Sequence, residues 1–442
     1  MYSYSKNLPV HNEFEIIVVG GGAAGCAAAA AAGREGKKVL LIESSGALGG
    51  MGTLGLVPTW APFSDKEKIV YRGFASRLLE ETRQSLPHVR DREWVDWVPI
   101  DPEALKRQYD ELLDEYGVEV LFHTLVVDVL SERGHVTGLV AAGKGGLELY
   151  QASVYVDCTG DADIAVGAGA PYAKGDETGD TQPATLCFTL TNVDEYAYLH
   201  GPNLHSSNPQ SPIYRILKEG KYPDIPDTHL CHALIGPRTV GFNAGHLWSI
   251  DANDPKSLSR AQRQGRRIAK AFRDALAEYV PAAFANAQLI QTASLVGIRE
   301  TRRIQGAYIL TKEDYLARRS FPDEIGRNCY YLDVHHAKAQ IQELVDNRDI
   351  WESKTHRYGK GESHGIPYRC LLPLQVDNVL VAGRCISTDR AVQGSTRVMP
   401  PCLVTGEAAG VAAAMSLEAG CPAKVDTDAL RAKLLSYGAY FE

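Results

Sequence analysis

The chain has 442 residues, 45% of them apolar, and 46 Lys plus Arg against 54 Asp plus Glu for a formal net charge of −8. At roughly 150 residues per domain that is enough chain for two or more lobes, and mild acidity without a basic block argues against a protein whose main task is to grip a phosphate backbone. Nine scattered cysteines with no C-x-x-C pair exclude a disulfide framework, a zinc ribbon, a dithiol redox centre and a sequence-encoded iron–sulfur site, and point to a reduced, cytoplasmic setting.

Residues 1–12 are polar and read as a loose arm. The uncharged run 16–33 is about as long as a membrane span, but five of its residues are Gly and eight are Ala, with the glycines clustered where a spanning helix would be continuous, so no span is expected. It reads instead as a buried strand over 15–19, a turn Gly20-Gly-Gly22-Ala-Ala-Gly25, and an Ala-rich helix capped at Gly33, followed by a second strand over 38–42 with Glu43 at its end. In a G-x-G-x-x-G turn the first glycine (Gly20) permits the tight bend. The second (Gly22) lets backbone approach a pyrophosphate, and the third (Gly25) lets helix and strand pack closely. A helix N-terminus there favours negative charge. Glu43 stands 18 residues after Gly25, where an acid hydrogen-bonds a ribose diol and repels a 2′-phosphate. Strand, turn, helix, strand and acid in this order indicate an adenine dinucleotide.

The next segment, 44–55, carries five glycines, a loop that lets backbone run beside a longer cofactor than a nicotinamide dinucleotide. Further on, 71–98 is a candidate lid, Asp101 with Pro102 behind it opens a helix to about Glu115, and 118–122 and 124–130 read as extended. A strand over 150–156 leads into Asp157-Cys-Thr159-Gly160-Asp161, strands are expected over 183–191 and 289–296, and a helix over 259–279. A strand-like 330–333 precedes His335-His336. His364 sits in Glu362-Ser-His-Gly-Ile-Pro-Tyr368, a strand over 378–382 closes with Gly383-Arg384, and Pro400-Pro401 opens an Ala-rich helix over 402–417 that ends near Gly420.

On these residues the chain resembles FAD-dependent oxidoreductases of the glutathione-reductase and fumarate-reductase type, the two-dinucleotide-binding-domain superfamily. A more specific resemblance, to the bacterial FAD-dependent oxidoreductase family proteins, rests on Gly297-Ile-Arg299-Glu300-Thr-Arg302-Arg303-Ile-Gln-Gly306, Gly365-Ile-Pro-Tyr368-Arg369, and Gly383-Arg384-Cys-Ile-Ser387 running to Arg397-Val-Met399-Pro. It covers most of the chain except about 190–285. The resemblance implies an α/β fold with a discontinuous Rossmann-like FAD-binding domain (13–60, 99–175 and 366–442), an inserted α+β substrate domain (176–365), and 61–98 as the lid segment. It implies non-covalent FAD held by Gly20, Gly22, Ala23, Ala24, Gly25, Glu43, Ser44, Gly49, Gly50, Met51, Thr53, Val126 or Val127, Thr159, Gly160, Asp161, Gly383, Arg384 and Met399. The Pro400 helix would face the negative charge that a reduced flavin gathers around N1 and O2.

A flavin takes or gives a hydride at N5, so the protein must position the substrate, stabilise charge and manage a proton. Arg299, Arg302, Arg303, Arg369 and Arg397 are candidates to clamp a carboxylate, with most of them expected instead in ion pairs with acids such as Glu300, Asp389 and Glu407, and Arg397 best placed because it directly precedes the flavin-facing helix. His364, His335 and His336 are the candidate proton carriers and Tyr368 a candidate hydrogen-bonding group, so the catalytic set is His364, Arg397, Arg299, His335 and Tyr368. A metal site from His335, His336 and Asp333 is discounted, because adjacent residues on a strand point oppositely. No second G-x-G-x-x-G follows a strand, so the electron acceptor is external: dioxygen, a quinone, another protein or a transiently bound nicotinamide. The expected activity is hydride transfer between a small polar organic substrate, an acid or hydroxylated compound, and the flavin, without nucleic acid and with homo-oligomerisation left open. The alternatives are an FAD-fold carrier without turnover and, disfavoured by the charge, a flavoprotein acting on RNA.

Overall fold

The computed structural model describes residues 5–335 and 356–441, so His336 lies outside the described residues. The elements that position the cavity are, in chain order, β1 (Ile16–Val19), α1 (Ala23–Arg34), β2 (Val39–Ile42), α2 (Phe74–Ser85), α3 (Pro102–Glu115), β3 (Glu119–Leu121), β4 (Leu125–Glu132), β5 (His135–Gly143), β6 (Gly146–Tyr150), β7 (Val154–Asp157), β8 (Phe188–Thr191), β9 (Leu230–Gly236), β10 (Thr239–Ala244), α4 (Pro255–Tyr279), β11 (Gln288–Thr292), β12 (Glu324–Asn328), β13 (His364–Pro367), β14 (Val379–Val381), α5 (Arg390–Thr396) and α6 (Met399–Ala419).

A five-stranded parallel sheet in the order β14-β7-β1-β2-β3 joins pieces from both ends of the chain. All four residues of β1, of β2 and of β7 are buried, as expected of parallel strands covered on both faces. One face is covered by α1 and α6, which pack at the closest range small residues allow. A Cβ on Gly406 would collide with the Ala24 carbonyl and one on Gly410 with that of Ala28. α6 is long and apolar enough to cross a membrane by length and composition, but it is mostly buried against these partners. The Arg34 guanidinium ties the pair to α2: it bonds Glu407 at 2.8 Å, and the other oxygen of Glu407 accepts from Phe74 N–H at 2.9 Å. The opposite face packs Ile17, Val19, Leu40 and Ile42 against the antiparallel strands β4 to β6.

A second lobe is built from the antiparallel sheet β9-β10-β8-β11, backed by α4, around Phe188, Phe242, Phe272 and Phe284. Its core runs from Ala184 to Val296, whereas Leu310, Tyr315, Phe321, Ile325 and Tyr358 pack with the dinucleotide-binding core. The second lobe therefore ends near 300 rather than 365. The segment expected as a lid is likewise core: Phe63, Tyr71, Phe74, Leu78, Val89 and Val98 are all buried with the first cluster. Apolar residues at helical spacing in α2 leave one face for burial, and that face packs inward.

Three local expectations change. The expected strand over 150–156 is two strands in different sheets, β6 and β7, separated by three residues. Gly33 is not a cap but lies inside α1, which is capped at Glu35; its lack of a side chain admits the Tyr116 carbonyl, 2.6 Å from where a Cβ would sit. Residues 330–333 are irregular, because the Tyr71 hydroxyl accepts from the Cys329 and Tyr330 N–H groups in place of a neighbouring strand.

Candidate active site

A continuous cavity of about 1710 Å³ runs from Glu43, Ser44 and Val126, past Gly22, Gly50, Met51, Thr159 and Gly160, to Gly383, Arg384 and Met399, and opens into a chamber between the two lobes. The turn after β1 shapes its first third. Gly20 has φ +95 and Gly25 packs so tightly that a Cβ would collide with the Gly20 carbonyl, whereas a Cβ on Gly22 would meet nothing within 4 Å. A Cβ on Gly50 (φ +52) would come within 3.1 Å of the Gly22 Cα, so the loop backbone packs directly against the turn, and both glycines line the cavity. Gly49, at φ +92, lets the loop turn back so that its N–H donates to the Gly21 carbonyl at 2.8 Å. At the far end of the turn Glu43 accepts from Gly21 N–H at 2.6 Å and Ser45 N–H at 2.7 Å, which orients its carboxylate on the cavity wall. Bare glycine backbone, the open N-terminus of a buried helix and a fixed acid at the end of the next strand form a cradle whose donor and acceptor set fits the pyrophosphate and ribose of FAD.

Ala23, Ala24, Ser44, Met51, Val126, Thr159, Gly160, Asp161, Gly383, Arg384 and Met399 also line the cavity. Four expected cofactor contacts differ. Thr53 is fully buried with its hydroxyl on the Leu48 carbonyl at 2.5 Å, Val127 faces solvent on the opposite side of β4 from Val126, and Gly25 sits behind the turn. Arg384 touches the cavity but spends its guanidinium on the Gly160 carbonyl (2.8 Å), the Ile298 carbonyl (2.6 Å) and Asp161 (2.9 Å), a strut between the two lobes.

The candidate catalytic residues separate into two groups. His364 and Tyr368 do not line the cavity. His364 is fully buried on β13, with Nδ1 3.0 Å from the Tyr358 hydroxyl, and burial together with the Arg327 charge pushes it down to about 3. The Tyr368 hydroxyl donates to the Pro422 carbonyl at 2.9 Å. Arg302, Arg303 and Arg369 pair with Asp163, Glu300 and Asp323. Burying the alternating residues of short strands and turns needs partners that sequence spacing alone does not reveal, and these five found theirs inside the protein.

Arg299, Arg397 and His335, by contrast, line the chamber. Arg299 is 7% exposed; one terminal nitrogen donates to the Pro183 carbonyl (2.7 Å) and Thr185 (3.0 Å). Burial, then the Arg397 charge, lowers it to about 10. Arg397 donates to Asp333 through Nη2, while its Nε is buried with no partner among the described residues. Burial opposes ionisation of Asp333, but His335, Arg397 and Arg299 around it hold its carboxyl below the ordinary range. Arg397 thus pairs with Asp333, and the Arg299 charge adds to the positive field on the same carboxylate.

Sequence reasoning missed the strand residues that complete the chamber: His229, Cys231 and Asn243, on or beside β9 and β10. The Asn243 amide oxygen is buried without a partner among the described residues. The alternation Asp227-Thr-His229-Leu-Cys231 was the available signal, since a period of two puts those three side chains on one face of a strand. His229, His246 and His335 bring ring nitrogens within 4.8 Å of one another, but His229 stacks on His246 (4.2 Å, 19°), so the in-plane lone pairs of those two rings run side by side instead of converging.

A family model described as FAD dependent oxidoreductase matches residues 15–434. A search of curated proteins gives no match. Among solved structures, a geranylgeranyl bacteriochlorophyll reductase-like protein from Thermoplasma acidophilum aligns at TM-score 0.46 and 12% identity over 97% of this chain and 83% of its own. For p-nitrophenol 4-monooxygenase from Pseudomonas putida the values are 0.45, 12%, 96% and 84%, and for L-proline dehydrogenase from P. horikoshii 0.42, 13%, 94% and 95%.

Proposed function

This chain belongs to the family of FAD dependent oxidoreductases, and from that premise we propose that it transfers a hydride between a small, polar, anionic organic compound and the flavin, with the carboxylate held by Arg299 and Arg397. The observation that supports the anion most is the excess of positive charge at the chamber: the guanidiniums of Arg299, Arg357 and Arg397 line it against the one carboxylate of Asp333, and the Arg397 Nε is without a partner among the described residues. A substrate carboxylate would complete that pairing bidentately, in a site where low dielectric strengthens it.

FAD, held non-covalently in the glycine cradle, supplies the two-electron acceptor at N5. The protein's part is orientation and proton management. Arg299, fixed on the Pro183 carbonyl and Thr185, sets where the carboxylate lies; Asn243 offers an acceptor to a hydroxyl or amine on the carbon to be oxidised; and His335, kept neutral because burial and Arg299 push it down to about 4, takes the proton that leaves that group. The N-terminus of α6 starts at Met399 on the cavity wall, and its positive helix-end potential would favour negative charge on a flavin held there. No second dinucleotide fingerprint occurs in the sequence, which supports an external electron acceptor.

The test is an anaerobic screen of small carboxylic acids bearing an adjacent hydroxyl or amine, read as bleaching of the bound flavin. Bleaching by one or more acids, but not by their esters or amides, is expected. A protein whose flavin is reduced only by neutral compounds, or by none, would overturn the reading, and the latter outcome would favour the carrier alternative.

A further inference from the structure

A row of hydrogen-bonding groups lies behind His335. Asp227 Oδ2 is 2.7 Å from His246 Nδ1, and His246 Nε2 is 2.8 Å from His335 Nδ1. His335 Nε2, at the chamber wall, faces Asp333 Oδ1 at 3.5 Å. The row therefore leads from a carboxyl group buried in the second lobe to the place where substrate would sit. Asp227 also accepts from the His229 backbone N–H at 2.9 Å, which anchors its other oxygen.

A neutral imidazole has one donor and one acceptor nitrogen, so the whole row must share one polarity. With Asp227 ionised, His246 carries its proton on Nδ1 and accepts at Nε2 from His335 Nδ1–H, leaving His335 Nε2 as a bare acceptor at the chamber. With Asp227 protonated every bond reverses: the carboxyl donates to His246 Nδ1, His246 Nε2–H donates to His335 Nδ1, and His335 Nε2–H points at Asp333. The groups facing this row are His229, just before β9, Cys231 on β9, Arg299, Asp333 and Arg397. Burial, with the positive charges nearby, keeps both imidazoles neutral, while burial raises Asp227 to about 6. Both polarities are therefore open near neutral pH.

We propose that Asp227, His246 and His335 form a reversible proton relay that accepts the substrate's proton at His335 Nε2 and stores one on the Asp227 carboxyl. The inference rests on the reading of His335 as the base. As the substrate's O–H or N–H bond breaks, its proton bonds to His335 Nε2; the Nδ1 proton of His335 passes to His246 Nε2, and the Nδ1 proton of His246 passes to Asp227 Oδ2. The carbon's hydride, with its electron pair, is the reducing equivalent that the flavin receives. Each imidazole ends neutral with its proton on the other nitrogen, and the one net gain is a neutral Asp227. His246 and Asp227 are positioning residues here, acting through His335.

The experiment is nitrogen NMR of the FAD-bound protein labelled in its histidines, titrated from pH 8 to pH 5 without substrate. His246 and His335 are expected to be Nδ1–H tautomers at the alkaline end and to change together to Nε2–H tautomers as the pH falls through about 6. Asp227→Asn is expected to abolish that switch while retaining FAD. The proposal is overturned if either ring keeps one tautomer throughout, if the two change independently, or if Asp227→Asn still switches. Should that variant fail to fold, the wild-type titration alone decides. Because no substrate is present, the outcome stands apart from the hydride-transfer reading: a normal rate in His335→Ala would sink the base while leaving the tautomer result intact.

Discussion

The two ends of the cavity are built by opposite means. The dinucleotide cradle is backbone: contiguous residues in which side chains are absent so that a ligand can come close, with one acid at the end of β2. The chamber end is side chain: guanidiniums, imidazoles, an amide and a hydroxyl contributed by Arg299, Arg397, His229, His335, Asn243 and Thr185, drawn from both lobes. A cradle of backbone tolerates almost no change in size, whereas a chamber of charged side chains tolerates size but not loss of charge.

The largest effect is expected from a pair of glycines three residues apart. Gly25→Ala forces a Cβ into the Gly20 carbonyl and should cost about 3 kcal/mol or more, leaving little folded, flavin-bearing protein by thermal melting and visible absorbance. Gly22→Val should leave the melting temperature of the FAD-free protein nearly unchanged, since nothing lies within 4 Å of the new Cβ, yet weaken FAD retention by at least about tenfold. If both variants behaved alike, the distinction between packing glycine and ligand-facing glycine would be wrong.

At the other end, His335→Ala should slow anaerobic flavin reduction by about 10²- to 10⁴-fold with the flavin still bound, the range for removal of a positioned base. Arg299→Met should slow it by about 10²-fold, mainly by raising the substrate concentration required, with FAD absorbance retained. A variant that lost FAD along with activity would show that the two ends are not separable.

The smallest effect on turnover is expected at His364, which sequence alone placed among the catalytic residues. Its substitution by Phe should leave the rate per bound flavin unchanged and alter stability instead. Burial and Arg327 depress this imidazole from 6.5 to about 3, so it favours the folded state above pH 6.5 and loses that contribution as pH falls toward its folded value. Relative to His364→Phe, the wild-type protein should lose about 3 kcal/mol more stability between pH 6.5 and about 4, measured by denaturant unfolding.

Legibility in the sequence followed the same division. The turn Gly20 to Gly25, the acid Glu43, the loop glycines Gly49 and Gly50 and the Pro-started α6 could be read directly, because local backbone geometry dictates them. Arg397 stood out in the sequence because it directly precedes the Pro-started helix, but nothing in its spacing separated Arg299 from Arg302, Arg303 and Arg369, which found carboxylates elsewhere. His364 and Tyr368 looked functional because they flank a motif, and they are packed into the core. Asp227, His229 and Cys231 carried a faint alternation leading into β9, and nothing local announced that His246, beyond the end of β10, would meet them.

The amino-acid sequence by itself determined the shape of the first turn, a glycine cradle that fits an adenine dinucleotide, since steric exclusion at a few glycines is a local effect of the backbone. Only the tertiary structure decided which charges line the chamber. Whether an arginine or histidine is a clamp, a base or a packing residue depends on the carboxylates that other segments bring within about 4 Å, and that proximity is set by how the two lobes pack.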